Sequence, residues 1–370
     1  MKRILKSNRS RAFIFLCIIA ALVIIFDSCL GFADASRSNT VFDEFYAQDE
    51  NSVDCIYFGS SVTQRAYVVP VAYKEHGVRA YSIACGTQPF VLTKYLMEEA
   101  QKTQDPKLFI VELKGVCKSP DDLWDAAYRR VIDNMKYSLT RVDAIKAMER
   151  FAANAKEDTG VDETGLSYYF PIIKYHTRWN PSKQPNYFNN IYYFNGYSLD
   201  GGLSFKIRER HTLEYDEHTD PIDPVMEESL KELLDYCDTL ENAKVLFVIA
   251  PYESSELGMG KLNYAKNIVE SRGYECLNFL PIEKREELGL QDDTSYYNKE
   301  HLNYYGSQKY TEYLTNYIME NYGITDRRGQ DGSGSWEEAY DRLMDTIDTE
   351  YSKDYKKLMK KVRKAEAGDR

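Results

Sequence analysis

Val53-Asp54-Cys55-Ile56-Tyr57-Phe58-Gly59-Ser60-Ser61-Val62-Thr63 is the stretch on which the fold turns. Residues 53–58 are a short apolar run rich in β-branched and aromatic side chains, stopped by Gly59. That is the pattern of a buried strand. A serine placed directly after such a strand, where the chain turns into a helix, stands at the top of a sheet. A helix N-terminus there offers partial positive charge and free N–H groups to a developing oxyanion. Gly-Ser-Ser alone is weak evidence, because loops after strands are full of these residues.

Working outward, four more runs read as strands: residues 78–85, 108–113, 244–250 (closed by Pro251) and 275–280. Helical patterns fall at 69–76, 91–102, 229–240 and 262–271. This alternation predicts an α/β fold, a three-layer α/β/α sandwich with a mostly parallel central sheet. Catalytic groups in such folds gather at the carboxyl ends of the strands. An insertion, about 117–223, separates the third and fourth strands. It is helical over 121–155 and rich in Tyr and Asn over 167–203. Its aromatic content argues against disorder.

Residues 329–335 have the Gly, Ser, Gln and Asp content of a linker. Ser335 and Glu338 beyond it have capping-box spacing. Trp336, Tyr340, Leu343, Ile347 and Tyr351 follow at helical intervals, and 353–364 is strongly basic, the mark of a solvated helix. The expected organisation is a basic stub and hydrophobic segment (1–35), a main domain (40–325), and a linker with a charged helical tail (326–370).

Lys2, Arg3, Lys6, Arg9 and Arg11 precede an apolar run over 12–26, which Asp27 interrupts and 29–32 partly resumes. Basic residues before an apolar stretch keep the N-terminus in the cytoplasm. Two export readings compete: an uncleaved single-pass signal anchor, which we favour, and a signal peptide cleaved at Ala33-Asp34-Ala35. Either puts the main domain outside the cytoplasm. The net charge of −11 argues against a nucleic-acid partner. The 31 tyrosines suit either a wet sugar-binding groove or packing in large loops. The seven cysteines contain no CxxC pair, and His76, His211 and His218 show no metal-ligand spacing. No cofactor is expected.

The second informative segment is Tyr297-Asn298-Lys299-Glu300-His301-Leu302-Asn303, followed by Tyr304-Tyr305-Gly306. A histidine just before the last helix can reach the catalytic edge, take a serine's proton and return it to a leaving group. A lone histidine is more often structural, and the pairing with the early serine gives this one weight. In the insertion, His176, Arg178 and Trp179 form an aromatic-cationic cluster. It suits either a carboxylate, phosphate or sugar ring, or anchoring of the insertion to the core.

Taken in order, these pieces resemble the SGNH (GDSL-like) hydrolase superfamily over roughly residues 40–325. The likeness is closer to membrane-anchored bacterial members related to teichoic-acid D-alanylation and polysaccharide O-acetylation proteins. The residues that carry it are 54–61, Tyr81-Ser82-Ile83-Ala84-Cys85-Gly86 with Gln88-Pro89, Pro106-Lys107-Leu108 to Glu112, Phe170-Pro171 with 175–179, and His301-Leu302-Asn303. The resemblance implies a flavodoxin-like sheet, Ser61 as nucleophile, His301 as base, and oxyanion donors at Ser61 and Gly86. It further implies substrate contacts at Gln88, His176, Arg178 and Trp179. Three places depart from the family pattern, the first being Ser60, where the better-known members have aspartate. Asn298 stands where the motif has aspartate, and Val111-Glu112-Leu113-Lys114 replaces the usual Gly-x-Asn block. Asparagine can orient an imidazole but cannot balance its positive charge. Loss of that carboxylate costs a serine protease ~10⁴ in rate. Asp292, Asp293 and Glu300 are candidate substitutes.

Two functions follow as expectations. One is an extracytoplasmic serine esterase or O-acyltransferase acting on ester groups of cell-envelope glycans. The other is a catalytically degenerate protein that binds a glycan or assists a membrane-bound O-acyltransferase in envelope acylation.

Overall fold

The structure is a computed structural model describing residues 8–30, 38–162, 164–178, 192–200, 202–203 and 214–367. Helix α1 (Asn8–Leu30) carries the N-terminal apolar run, with Phe13, Phe15, Leu16 and Phe26 exposed. Among the described residues, no helix is long and apolar enough to cross a membrane. The expected transmembrane helix is therefore not supported.

Helix α2 (Ser38–Tyr46) leads to β1 (Cys55–Gly59), α3 (Ser61–Ala66), α4 (Val69–His76) and β2 (Ala80–Ala84). After α5 (Thr93–Ala100) comes β3 (Leu108–Glu112). The insertion supplies α6 (Asp125–Ile132), α7 (Leu139–Ala152), the single turns α8 (Leu166–Tyr169) and α9 (Ile172–Tyr175), and the small hairpin β4 (Tyr193–Phe194) and β5 (Tyr197–Ser198). The chain returns through α10 (Pro224–Cys237) to β6 (Lys244–Ile249), α11 (Glu256–Ser271), β7 (Glu275–Asn278) and α12 (Ile282–Glu287). A second small hairpin, β8 (Tyr296–Asn298) and β9 (His301–Leu302), precedes α13 (Tyr304–Tyr322), α14 (Gly334–Thr349) and α15 (Ser352–Glu366).

All five predicted strands form, joined as one parallel sheet in the order β2-β1-β3-β6-β7. Residues on both sides of β1, β2 and β3 are buried, so helices cover both faces. This is why the strands read as continuous apolar runs. The chain leaves β1 toward β2 on one side and then places β3 on the other. That reversal opens a crevice beyond the carboxyl ends of β1 and β3, where such sheets bind ligands.

Much of the tyrosine serves packing. Tyr57, Tyr67, Tyr81, Tyr128, Tyr168 and Tyr310 are all buried. Cys55, Cys85, Cys237 and Cys276 are buried. Beneath the insertion, buried Arg129 bridges Asp125 (2.8 Å) and Asp133 (3.3 Å).

The C-terminal segment differs from a detached tail. Trp336 is fully buried and donates its indole N–H to the Ala80 carbonyl at 2.8 Å. The expected linker is held by buried Arg79, which donates to the Gln330 and Asp331 carbonyls and the Ser333 hydroxyl, and by an Asp54–Arg327 ion pair of 2.7 Å. The capping box does not form. Ser333 is the N-cap residue of α14, while Ser335 lies inside the helix and donates to Gln48 at 2.9 Å.

Candidate active site

Ser61 is the first residue of α3, directly beyond β1. The turn requires glycine at position 59, where a Cβ would lie 2.0 Å from the Thr63 hydroxyl oxygen and 2.9 Å from the Glu112 Cβ. Ser60 caps the helix in extended backbone geometry without a side-chain bond, and the Gln64 N–H closes the first turn on the Ser60 carbonyl at 3.1 Å. The N–H groups of this first turn have no partner within the helix.

Gly59 pairs with Ala84 in the parallel register. Ser61 and Gly86 therefore each lie two residues beyond that pair and leave the sheet at the same edge. Arg130 on α6 donates to the Gly86 carbonyl at 2.7 Å, which fixes that peptide's orientation. The next residue, Thr87, has a φ of 55°, a left-handed conformation unusual for a β-branched side chain. Gln88 does not face a substrate. It is buried, and its amide reaches back to the Ile83 carbonyl and the Cys85 thiol, both at 3.4 Å, shaping the turn after β2.

The hairpin of β8 and β9 brings His301 to this edge. Asn303 locks its base by capping α13 through the Gly306 N–H (3.0 Å) and donating to the Thr294 carbonyl (2.7 Å). Gly306 is needed because a Cβ would lie 2.1 Å from the Ser295 carbonyl oxygen. The hairpin tip is held by Lys299–Glu253 (3.1 Å) and Glu300–Lys114 (3.0 Å) ion pairs.

Residues 240 positions apart meet there. The Ser61 Oγ lies 2.9 Å from the His301 Nε2, and the His301 Nδ1 lies 3.0 Å from the Asn298 Oδ1. The same Oδ1 accepts the Glu300 backbone N–H at 2.9 Å. A backbone N–H can only donate, so this contact fixes which amide atom faces the ring. Nδ1 then carries the proton, and the Nε2 lone pair faces Ser61, the tautomer a general base needs.

Asn298 thus holds the place behind the ring. Neither Asp292 nor Asp293 takes it, and Glu300 turns to Lys114. Burial, together with the positive charges of Arg65 and Lys114, pushes the imidazole's pKa down to about 3. His301 is neutral at pH 7 and able to accept a proton, but the imidazolium it would form is disfavoured.

Sequence reasoning missed Arg65, Lys114 and Glu112. Arg65 stands one helical turn after Ser61, pairs with Asp200 at 2.8 Å and lies 5.5 Å from the centre of the Tyr297 ring. Lys114 follows β3 and lies over the Tyr252 ring at 4.4 Å. Glu112 ends β3 fully buried, and no hydrogen bond of standard geometry reaches either carboxyl oxygen. Burial drives its pKa up to about 7, against the pull of the Lys114 charge and the nearby Lys114 and Ala250 backbone N–H groups. The one available signal was that 111–114 departs from the expected block.

His176 and Arg178 are held by contacts within their own segment. His176 turns its Nδ1 to the Ile173 carbonyl (2.8 Å), and Arg178 lies over the Tyr175 ring at 4.0 Å. Tyr175 donates to Asp133 at 2.6 Å. These contacts tie the segment to α6, which favours the anchoring role. Trp179 lies outside the described residues.

No family model matches the chain, and no curated protein is significantly similar to it.

Proposed function

We propose that the protein is a serine-dependent acyl-transfer enzyme, an esterase or O-acyltransferase with a flavodoxin-like, SGNH-type three-layer fold. The observation that carries the reading is the Ser61–His301–Asn298 chain of hydrogen bonds at the carboxyl edge of a parallel sheet. Ser61 Oγ attacks an ester carbonyl carbon while its proton passes to the His301 Nε2. The tetrahedral intermediate is held by backbone N–H groups at Ser61 and Gly86. As it collapses, the ester C–O bond breaks and His301 protonates the departing alcohol. Water or a sugar hydroxyl then attacks the acyl-serine by the reverse route, giving free acid or a new ester. The basic-then-apolar N-terminal pattern supports a site outside the cytoplasm, and with it ester groups of envelope glycans as substrate.

The test is labelling of the full chain by a fluorophosphonate, compared with Ser61→Ala. Labelling of the wild type alone upholds the reading. Absence of labelling together with absence of ester turnover rejects it. One observation favours a second reading, a degenerate glycan-binding or accessory protein of envelope acylation: a neutral amide stands behind a histidine that positive charges already make a weak base.

A further inference from the structure

The crevice beyond β1 and β3 holds two cations that the acyl-transfer chemistry above does not use. Arg65 comes from α3 and Lys114 from the segment after β3, and both rest against the hairpin that carries His301. Arg65 lies by Tyr297, and Lys114 pairs with Glu300, the residue just before the histidine. The cations themselves are largely covered, with 17% and 21% of their side chains exposed. Their acidic partners are open to solvent, Asp200 at 49% and Glu300 at 59%. With the acid of each pair open to water, solvent competes for it and another anion can take its place.

The other groups facing the ring are the Ser61 hydroxyl and the Asn298 amide, both neutral. Arg65 and Lys114, each paired with an acid on its far side, thus bear on a base that must itself become positive in the transition state, and no carboxylate contacts the ring. A low-dielectric crevice makes that charge costly.

We propose, building on the acyl-transfer reading, that the substrate carries an anionic group, a carboxylate or phosphate near the scissile ester, which docks between Arg65 and Lys114 and supplies the negative charge the Ser–His–Asn arrangement lacks. The anion takes over the cations from Asp200 and Glu300. It orients the ester toward Ser61, and it restores basicity to His301 only when substrate is bound.

The test compares two matched esters on the full chain, 3-acetoxypropionate (anionic) and 3-acetoxypropionamide (neutral), with wild type, Lys114→Ala and Arg65→Ala. Wild type should turn over the anionic ester with a kcat/KM at least tenfold higher. Each variant should lower kcat/KM for the anionic ester by at least tenfold more than for the neutral one. Lys114→Arg should restore the preference. A merely structural role would lower both esters together, and that result, or a wild type that does not discriminate, overturns the proposal. If Ser61 is unlabelled and neither ester reacts, the acyl-transfer reading fails by itself. The anion site is then judged by inorganic phosphate and the NMR titration of His301. An upward move of its pKa with phosphate, lost in Lys114→Ala, upholds the site, and no move overturns it.

Discussion

Replacing Asn298 with aspartate places a carboxylate where the amide oxygen now accepts from Nδ1 at 3.0 Å. The Glu300 N–H, 2.9 Å away, would still orient the new side chain. With the charges centred roughly 5 Å apart and an effective dielectric of about 20, the attraction is about 3 kcal/mol. That would lift the imidazole from about 3 by roughly 2 pKa units. The same energy applied to the imidazolium in the transition state is at most ~100-fold in rate, within the ~10⁴ that the reverse change costs a serine protease. The expected outcome is a 10- to 100-fold rise in kcat/KM for a neutral acetate ester at pH 7, with the His301 resonances titrating at higher pH by NMR. A variant whose His301 titration does not move, or whose turnover falls while the fold is intact, would refute the argument that a missing negative charge limits this site.

Three further outcomes follow from buried charge. Activity toward a neutral ester requires unprotonated His301, so its acid limb should lie near the imidazole's depressed value of about 3, within the limits of the fold's acid stability, rather than near 6.5. A limb near 6.5 would mean that neither burial nor the charges of Arg65 and Lys114 act on the ring. Glu112 has a folded-state pKa of about 7 against an ordinary 4.5. The unfolded chain gives up that proton first, so stability falls as pH rises from about 4.5 to 7, by ~3 kcal/mol. Glu112→Gln should lack this contribution, and urea unfolding of both proteins at pH 5 and pH 8 would reveal an unchanged slope if the reasoning is wrong. Arg129→Ala takes the nearest cation from the buried Asp133 carboxylate, leaving it Tyr175 and the more distant Arg141 (3.9 Å), and should cost about 3–5 kcal/mol in urea unfolding. A loss under 1 kcal/mol would contradict the buried-pair assignment.

The sheet was legible because its strands are buried on both faces, so each appears as an uninterrupted apolar run ended by Gly59, Pro251 or a polar turn. Ser61 and His301 were legible because a strand end and a helix start bracket them. What stayed hidden was contact made only by topology. Arg65 and Lys114 look like ordinary surface charges until the hairpin is laid between them. Gln88 reads as a polar residue near the nucleophile, yet the turn after β2 uses its amide internally. Ser335 had capping spacing, but Ser333 was already fixed by Arg79, so the helix starts earlier. Local patterns do not register a tertiary hydrogen bond that outbids them.

The departures from the usual triad belong to one electrostatic arrangement. A carboxylate at position 298 would sit close to two cations as well as the histidine, and their charges would partly offset its pull on the ring. An amide there keeps the tautomer, since its orientation is pinned by the Glu300 N–H, while leaving no carboxylate in contact with the ring. In such a field the histidine is a poor base when the crevice is empty and a competent one once an anion occupies it. The same pair of substitutions that makes the site look degenerate therefore makes it conditional, with the charge of the bound group setting the rate. This is why the neutral and anionic esters, and not activity alone, divide the enzyme from the binding protein.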